Sequence, residues 1–141
     1  GQPLIIKTGV VLSTTGLILS FAEKVNAADN SFYFNSAYEK AENGDHYGAI
    51  SDYTKAIEID PNDEAAYYNR GISKRKLKDN YGAISDYTKA IEIDPNNKSA
   101  YKNRGIAKEK IGDLKGACDD WRQTAFLSPN DDVAKWVRDQ C

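Results

Sequence analysis

The sequence contains no methionine, a single histidine (His46), and two cysteines among its 141 residues. Each shortage removes a class of function. Cys118 and Cys141 stand far apart, with no Cys-x-x-Cys and no Cys/His cluster, so structural zinc is excluded and no metal is expected. Catalysis would require a nucleophile beside a base, a metal cluster or a phosphate-cradling loop, and the chain offers none of them. His46 falls in the turn after Gly44-Asp45 and reads as an exposed turn residue. Asp119 and Asp120 are paired carboxylates, but neighbours on a helix point about 100° apart and do not share a substrate. No catalytic residue and no cofactor are therefore expected. An excess of either charge is also missing: 19 basic residues face 21 acidic ones, a formal net charge of -2, which argues against nucleic acid as a partner. Without a methionine, Gly1 is not expected to be a natural start, and the chain reads as a fragment or a processed product.

What the chain has instead is internal repetition. Three of its four prolines, Pro61, Pro95 and Pro129, are evenly spaced. The segment from Tyr47 to Asn62, YGAISDYTKAIEIDPN, recurs letter for letter from Tyr81 to Asn96, an offset of 34 residues. The same offset reaches a divergent third copy, KGACDDWRQTAFLSPN, from Lys115 to Asn130. A period of this length means that each unit is one supersecondary element burying its apolar face only against its neighbours. Ala83, Ile84, Tyr87, Ala90 and Ile91 recur at steps of three and four, which predicts a helix stopped by the following Asp-Pro. Ala65 to Leu77 predicts a second helix, ending at Lys78-Asp79-Asn80, with counterparts at Asn43-Gly44-Asp45 and Gly112-Asp113. Each unit is thus a pair of antiparallel helices, and the fold class is all-α.

These residues resemble the tetratricopeptide repeat (TPR) family. Tyr33, Tyr67 and Tyr101 take the first aromatic place of its pattern, Ala37, Gly71 and Gly105 the small one, and Ala49, Ala83 and Ala117 open the second helix. Tyr53, Tyr87 and Trp121 fill the aromatic place that follows. The resemblance implies a right-handed superhelical solenoid of three units, about 30–63, 64–97 and 98–131, closed by a capping helix over 132–141. Two departures stand out. Arg70 and Arg104 replace the usual Leu, and Lys40, Lys74 and Lys108 replace the usual Tyr. The arginines either pair with Asp52, Asp86 or Asp120 of second helices or face a ligand.

In this family the first helices line a concave face. Carried over by register, the resemblance implies a partner-binding groove of Phe34, Asn35, Tyr38 and Glu42, then Tyr68, Asn69, Ile72, Arg75 and Lys76, then Lys102, Asn103, Ile106, Glu109 and Lys110. Asn35, Asn69 and Asn103 either bond the backbone of an extended peptide or satisfy neighbouring helix groups. Ala65 to Lys78 carries five cations and no acid, which suits an acidic segment or a C-terminal carboxylate, although basic and acidic helices facing solvent give the same pattern. The carboxylate clamp of the heat-shock-chaperone subclass needs Lys and Asn at the fifth and ninth positions of its first repeat, where Phe34 and Tyr38 stand.

Both ends need separate treatment. Asn130 to Cys141 reads as the capping helix, with Val133, Val137 and Cys141 on one stripe and Trp136 covering the last core layer. Cys118 and Cys141 lie at matching distances from the intervening turn, so they face each other as a disulfide candidate in an oxidising compartment, or pack as reduced thiols elsewhere. Residues 1–29 form an apolar segment. Lys7 precedes an apolar run from Val10 to Ala22, and Val25 and Ala27 sit where an export signal peptide carries small residues. An uncleaved membrane anchor, or an amphipathic helix presenting Val10, Val11, Leu17, Ile18 and Phe21, are the alternatives. The expectation is a non-catalytic scaffold binding a protein or peptide, exported if residues 1–27 are a signal. The competing expectation is a homo-oligomeric module, membrane-anchored or cytoplasmic, whose N-terminal segment docks into the next copy.

Overall fold

The computed structural model of the protein describes residues 24, 26–130 and 132–141, the side chains of Trp136 and Arg138 excepted. The signal, anchor and packed-helix readings of residues 1–23, and the covering role of Trp136, lie outside the described residues. Among these, every regular element is a helix: α1 (26–42), α2 (His46–Ile59), α3 (Glu64–Lys76), α4 (Asn80–Ile93), α5 (Lys98–Lys110), α6 (Leu114–Leu127) and α7 (Asp132–Gln140). None of the described helices is long and apolar enough to cross a membrane.

Local chemistry fixes where these helices start. Asp45, Asp63, Asp79, Asn97 and Asp113 cap α2 to α6, each side chain accepting a hydrogen bond from the backbone N–H three residues on, at 2.9 Å. Such a cap is worth about 1 kcal/mol. Between the helices of a unit the chain reverses through a left-handed residue: Gly44 at φ 82°, Gly112 at 87° and, in the same register, Lys78 at 65°. Between units, Asp60 and Asp94 each accept from the backbone N–H two residues later at 3.0 Å, closing the Asp-Pro-Asn turn.

The apolar stripes named above meet inside this frame. Tyr53 and Tyr87 are almost wholly buried, Tyr53 clustered with Ala37, Ala49 and Ala56 and Tyr87 with Ala83 and Ala107. The small residue of each first helix is needed because the aromatic of the second lies against it. A Cβ on Gly71 would stand 2.8 Å from the Tyr87 ring, and one on Gly105 would stand 2.4 Å from the Trp121 indole nitrogen. No larger residue fits without moving a buried ring.

The two departures from the family pattern form one polar layer. Arg70 grips Asp86 with two parallel hydrogen bonds, Nε to Oδ2 at 2.9 Å and Nη2 to Oδ1 at 2.7 Å. Lys74 adds an ion pair to the same carboxylate at 2.8 Å. Arg104, Lys108 and Asp120 repeat the arrangement one unit later. Each guanidinium also reaches back one unit, Arg70 to Thr54 Oγ1 and Arg104 to Thr88 Oγ1 at 3.0 Å, and lies over the ring of Tyr67 or Tyr101. The arginines therefore join successive units, and the pairing reading of their side chains holds for Asp86 and Asp120. In the first unit Ser36 occupies the arginine place, and Asp52 is held by Ser36 Oγ at 2.7 Å and Lys40 Nζ at 2.6 Å.

The C-terminal helix α7 lies on α6. Among its described side chains Ala134 is the most buried, with Val133 and Val137 of the expected stripe half-buried and Cys141 exposed. Cys118 and Cys141 are bonded, with Cα atoms 5.7 Å apart, and Arg122 donates to the Cys141 carbonyl at 2.8 Å.

Candidate functional site

Most of the residues assigned to the groove by register distribute among three clefts. Tyr38 and Glu42 of α1 share the first with Asn69, Ile72 and Lys76 of α3; it measures about 340 Å³ and is backed by His46 and Tyr53 of α2 and by Ser73. Arg75 and Lys110 meet at the second, beside Lys78 and Asn80, which makes it cationic. Lys102, Ile106 and Glu109 edge the third, about 380 Å³, whose wall is Trp121 with Asp132 and Val133 of α7.

Four of the assigned residues, Phe34, Asn35, Tyr68 and Asn103, line none of these clefts. Phe34 is half-buried and packs edge-on against Tyr53, centroids 5.5 Å apart. Tyr68 leans on Tyr87 at 5.9 Å and accepts a hydrogen bond from Asn103 Nδ2 at 3.0 Å. Asn69 and Asn103 each turn an amide donor back to a carbonyl four residues earlier, Ala65 O at 2.8 Å and Ser99 O at 3.0 Å. Asn35 is exposed. His46 departs from the exposed-turn expectation: it is the first residue of α2, half-buried, with Nδ1 shielded from solvent.

Burial sets the electrostatics of the two tyrosines behind these clefts. Desolvation, with smaller pushes from Tyr38, Glu42 and Asp63, raises the Tyr53 hydroxyl to about 12. Desolvation raises Tyr87 to about 12 as well, against the pull of the neighbouring Arg75 guanidinium. Both stay neutral and able to donate across the physiological range. Neither Tyr87 Oη nor Arg75 Nε makes a hydrogen bond of good geometry. Asp52 feels opposed influences: burial pushes its carboxyl up, but the hydrogen bonds from Lys40 and Ser36, with the charges of Lys40 and Lys55, leave it below the usual value. Among the described residues, no group of three His, Cys, Asp or Glu side chains is placed to hold a metal.

Models of the tetratricopeptide repeat match residues 64–97 and 86–119, and a model of the TPR repeat matches 37–77, so the matches together run from 37 to 119. The chain belongs to the TPR family. Solved TPR domains share its architecture. The Arabidopsis OM64 TPR domain aligns with a TM-score of 0.76 at 28% identity, over 82% of this chain and 95% of that one. The first TPR of Spaghetti (RPAP3), bound to the HSP90 peptide SRMEEVD, aligns at 0.75 and 25% identity, over 79% and 90%. The TPR2B domain of yeast Sti1, in a complex with pHsp70, aligns at 0.72 and 25%, over 79% and 92%. No curated protein matches the sequence at a significant level.

The sequence reading missed Ser73, Tyr53 and His46 as parts of a cleft. A tyrosine at a repeated core place and a serine on a helix otherwise read by its charges carry no signal of open space beside them. Only the register of Ser73, one residue from groove position Ile72, points that way.

Proposed function

We propose that this chain is a non-catalytic adaptor that holds an extended segment of a partner protein along the face built by α1, α3 and α5. TPR domains are protein-interaction modules, and the similar domains of RPAP3 and Sti1 are described with HSP90 and Hsp70 ligands. The observation that carries the reading is the row of three clefts, which hold Tyr38, Asn69, Ile72, Lys76, Arg75, Lys110, Lys102 and Ile106 on successive first helices. Cationic Arg75, Lys78 and Lys110 at the middle cleft favour an acidic partner segment. Phe34 and Tyr38 stand where the heat-shock subclass needs Lys and Asn, which argues against recognition of a C-terminal EEVD through the same clamp.

Fluorescence anisotropy tests this with two probes, a labelled glutamate-rich peptide and labelled SRMEEVD. The glutamate-rich probe is expected to bind more tightly, and Arg75→Glu with Lys102→Glu to weaken it at least about tenfold. Unchanged binding in that double variant removes the groove assignment. Sedimentation of the chain with and without residues 1–27 separates this reading from self-assembly, which requires a concentration-dependent mass that the deletion abolishes.

The Cys118–Cys141 bond supports placing the adaptor in an oxidising compartment, after export through residues 1–27. Intact mass of protein from its host, alkylated with and without reductant, tests both points. Free thiols on an intact N-terminus would remove them.

A further inference from the structure

The threonine hydroxyls of the second helices are all bonded inside their own helix. Thr54, Thr88 and Thr124 donate to the carbonyls four residues back at 2.7, 2.8 and 3.0 Å. Tyr53 and Ser73 break that habit. Their side chains are 1% and 0% exposed, yet no described protein group bonds either hydroxyl, and His46 Nδ1 is shielded in the same way. All three line the cleft between the first two units. A polar atom screened from water without a partner is unfavourable, so three such atoms on residues that line one cleft mark a place where a bound polar group offsets that cost.

The next interface shows what is particular to this one. There the Tyr87 hydroxyl is unbonded as well, but Ala107 replaces Ser73 and Asn80 replaces His46, and the cleft carries Arg75, Lys78 and Lys110 with no acid. The first cleft has one cation, Lys76, and one carboxylate, Glu42, so its charge is balanced. That balance discriminates among side chains. An entering carboxylate would meet one exposed ammonium opposed by Glu42, too little to offset its desolvation. An aliphatic group would leave the hydroxyls unbonded. A primary amide answers both needs: its carbonyl accepts from Tyr53 and Ser73, and its NH2 donates to Glu42 or His46.

We propose that the cleft between the first and second units is a subsite for a glutamine or asparagine side chain of the partner segment, held by the Tyr53 and Ser73 hydroxyls. The inference rests on the groove reading above and names one of its anchor positions. About 340 Å³ accommodates such a side chain together with the peptide group that bears it.

The test uses the full chain, two-dimensional 1H–15N spectra, and three probes: the N-acetyl N-methylamides of glutamine, glutamate and leucine. The glutamine compound is expected to shift the backbone amides of Tyr53 and Ser73 saturably. The Tyr53→Phe, Ser73→Ala double variant should weaken it about tenfold or more. Both substitutions keep shape and remove only unbonded hydroxyls, so thermal melts of the variant should match or exceed the parent, which separates lost binding from lost folding. Equal response to the glutamate or leucine compound, or a glutamine response indifferent to the double variant, overturns the subsite. If the glutamate-rich peptide still depends on Arg75 and Lys102 while the glutamine compound leaves the cleft untouched, the subsite fails and the groove stands. The opposite pair of results keeps the amide site and removes the groove.

Discussion

Arg70 contacts both oxygens of Asp86, at 2.9 and 2.7 Å, from a position that the family usually fills with leucine. The pair is shielded, at 15% and 4% side-chain exposure, so removing one member leaves a buried charge with only Lys74 to answer it. Arg70→Leu is expected to destabilise the fold by about 2 kcal/mol even though it restores the family's residue. Adding Asp86→Ala should cost less than the sum of the two single changes. Urea denaturation of the four members of this cycle measures the coupling; strict additivity would show that the pair contributes nothing specific.

Lys78 sits in the left-handed conformation that Gly44 and Gly112 adopt at the matching turns, with φ 65°. A side chain there meets its own carbonyl, a penalty of about 1–2 kcal/mol that glycine escapes, partly offset by glycine's greater freedom in the unfolded chain. Lys78→Gly should therefore raise stability by about 1 kcal/mol, read as a higher melting temperature. A lowered one would show that the lysine side chain contributes to the turn.

The disulfide closes a stretch of 23 residues containing most of α6, a turn and α7. By the chain-entropy relation such a loop stabilises by about 3 kcal/mol. In a solenoid the terminal helix can open alone. Reduction is therefore expected to speed amide exchange in α7 on the order of a hundredfold, while α3 and α4 keep their protection. Uniform acceleration across all helices would refute this local opening.

The Asp52 carboxyl is held below its ordinary value of 3.8. Its contribution is present above that value and disappears as pH falls through the lower, folded-state pKa. Lys40 is shifted the other way, raised above 10.5 by its hydrogen bond to Asp52, so its contribution holds below that value and is lost at higher pH. The stability gap between parent and Asp52→Asn should be widest between these limits and shrink below about pH 3.8. A gap that stays constant in urea titrations from neutral to acidic pH would contradict the assignment.

Much of this architecture was legible because each unit is stated three times. The identical run from Tyr47 to Asn62 and from Tyr81 to Asn96 fixed the period, the aromatic steps fixed the helices, and Asp-Pro fixed their ends. The pairing of Arg70 and Arg104 was one of two readings open in the sequence, the other being a ligand-facing arginine, and the geometry at Asp86 and Asp120 decides for it. The groove was less legible. Register assigns Asn69 and Asn103 to a face, but the competition between a ligand and the carbonyl four residues back is decided by side-chain torsion, which no spacing encodes. The cleft at Ser73 was hidden for another reason: unoccupied volume arises where three helices fail to meet, and it is a property of no single residue.

Ser36 in the arginine place gives the molecule a direction. In the first unit Ser36 and Lys40 both bond one oxygen of Asp52, Lys40 is 41% exposed, and among the described residues Ser36 makes no counterpart of the bonds by which Arg70 and Arg104 reach a threonine one unit back. At the other extreme, α7 is stitched covalently to α6. Under tension between its termini, the chain would peel from the α1 side first, one helix pair at a time, and the yield force would climb as each arginine clasp came under load.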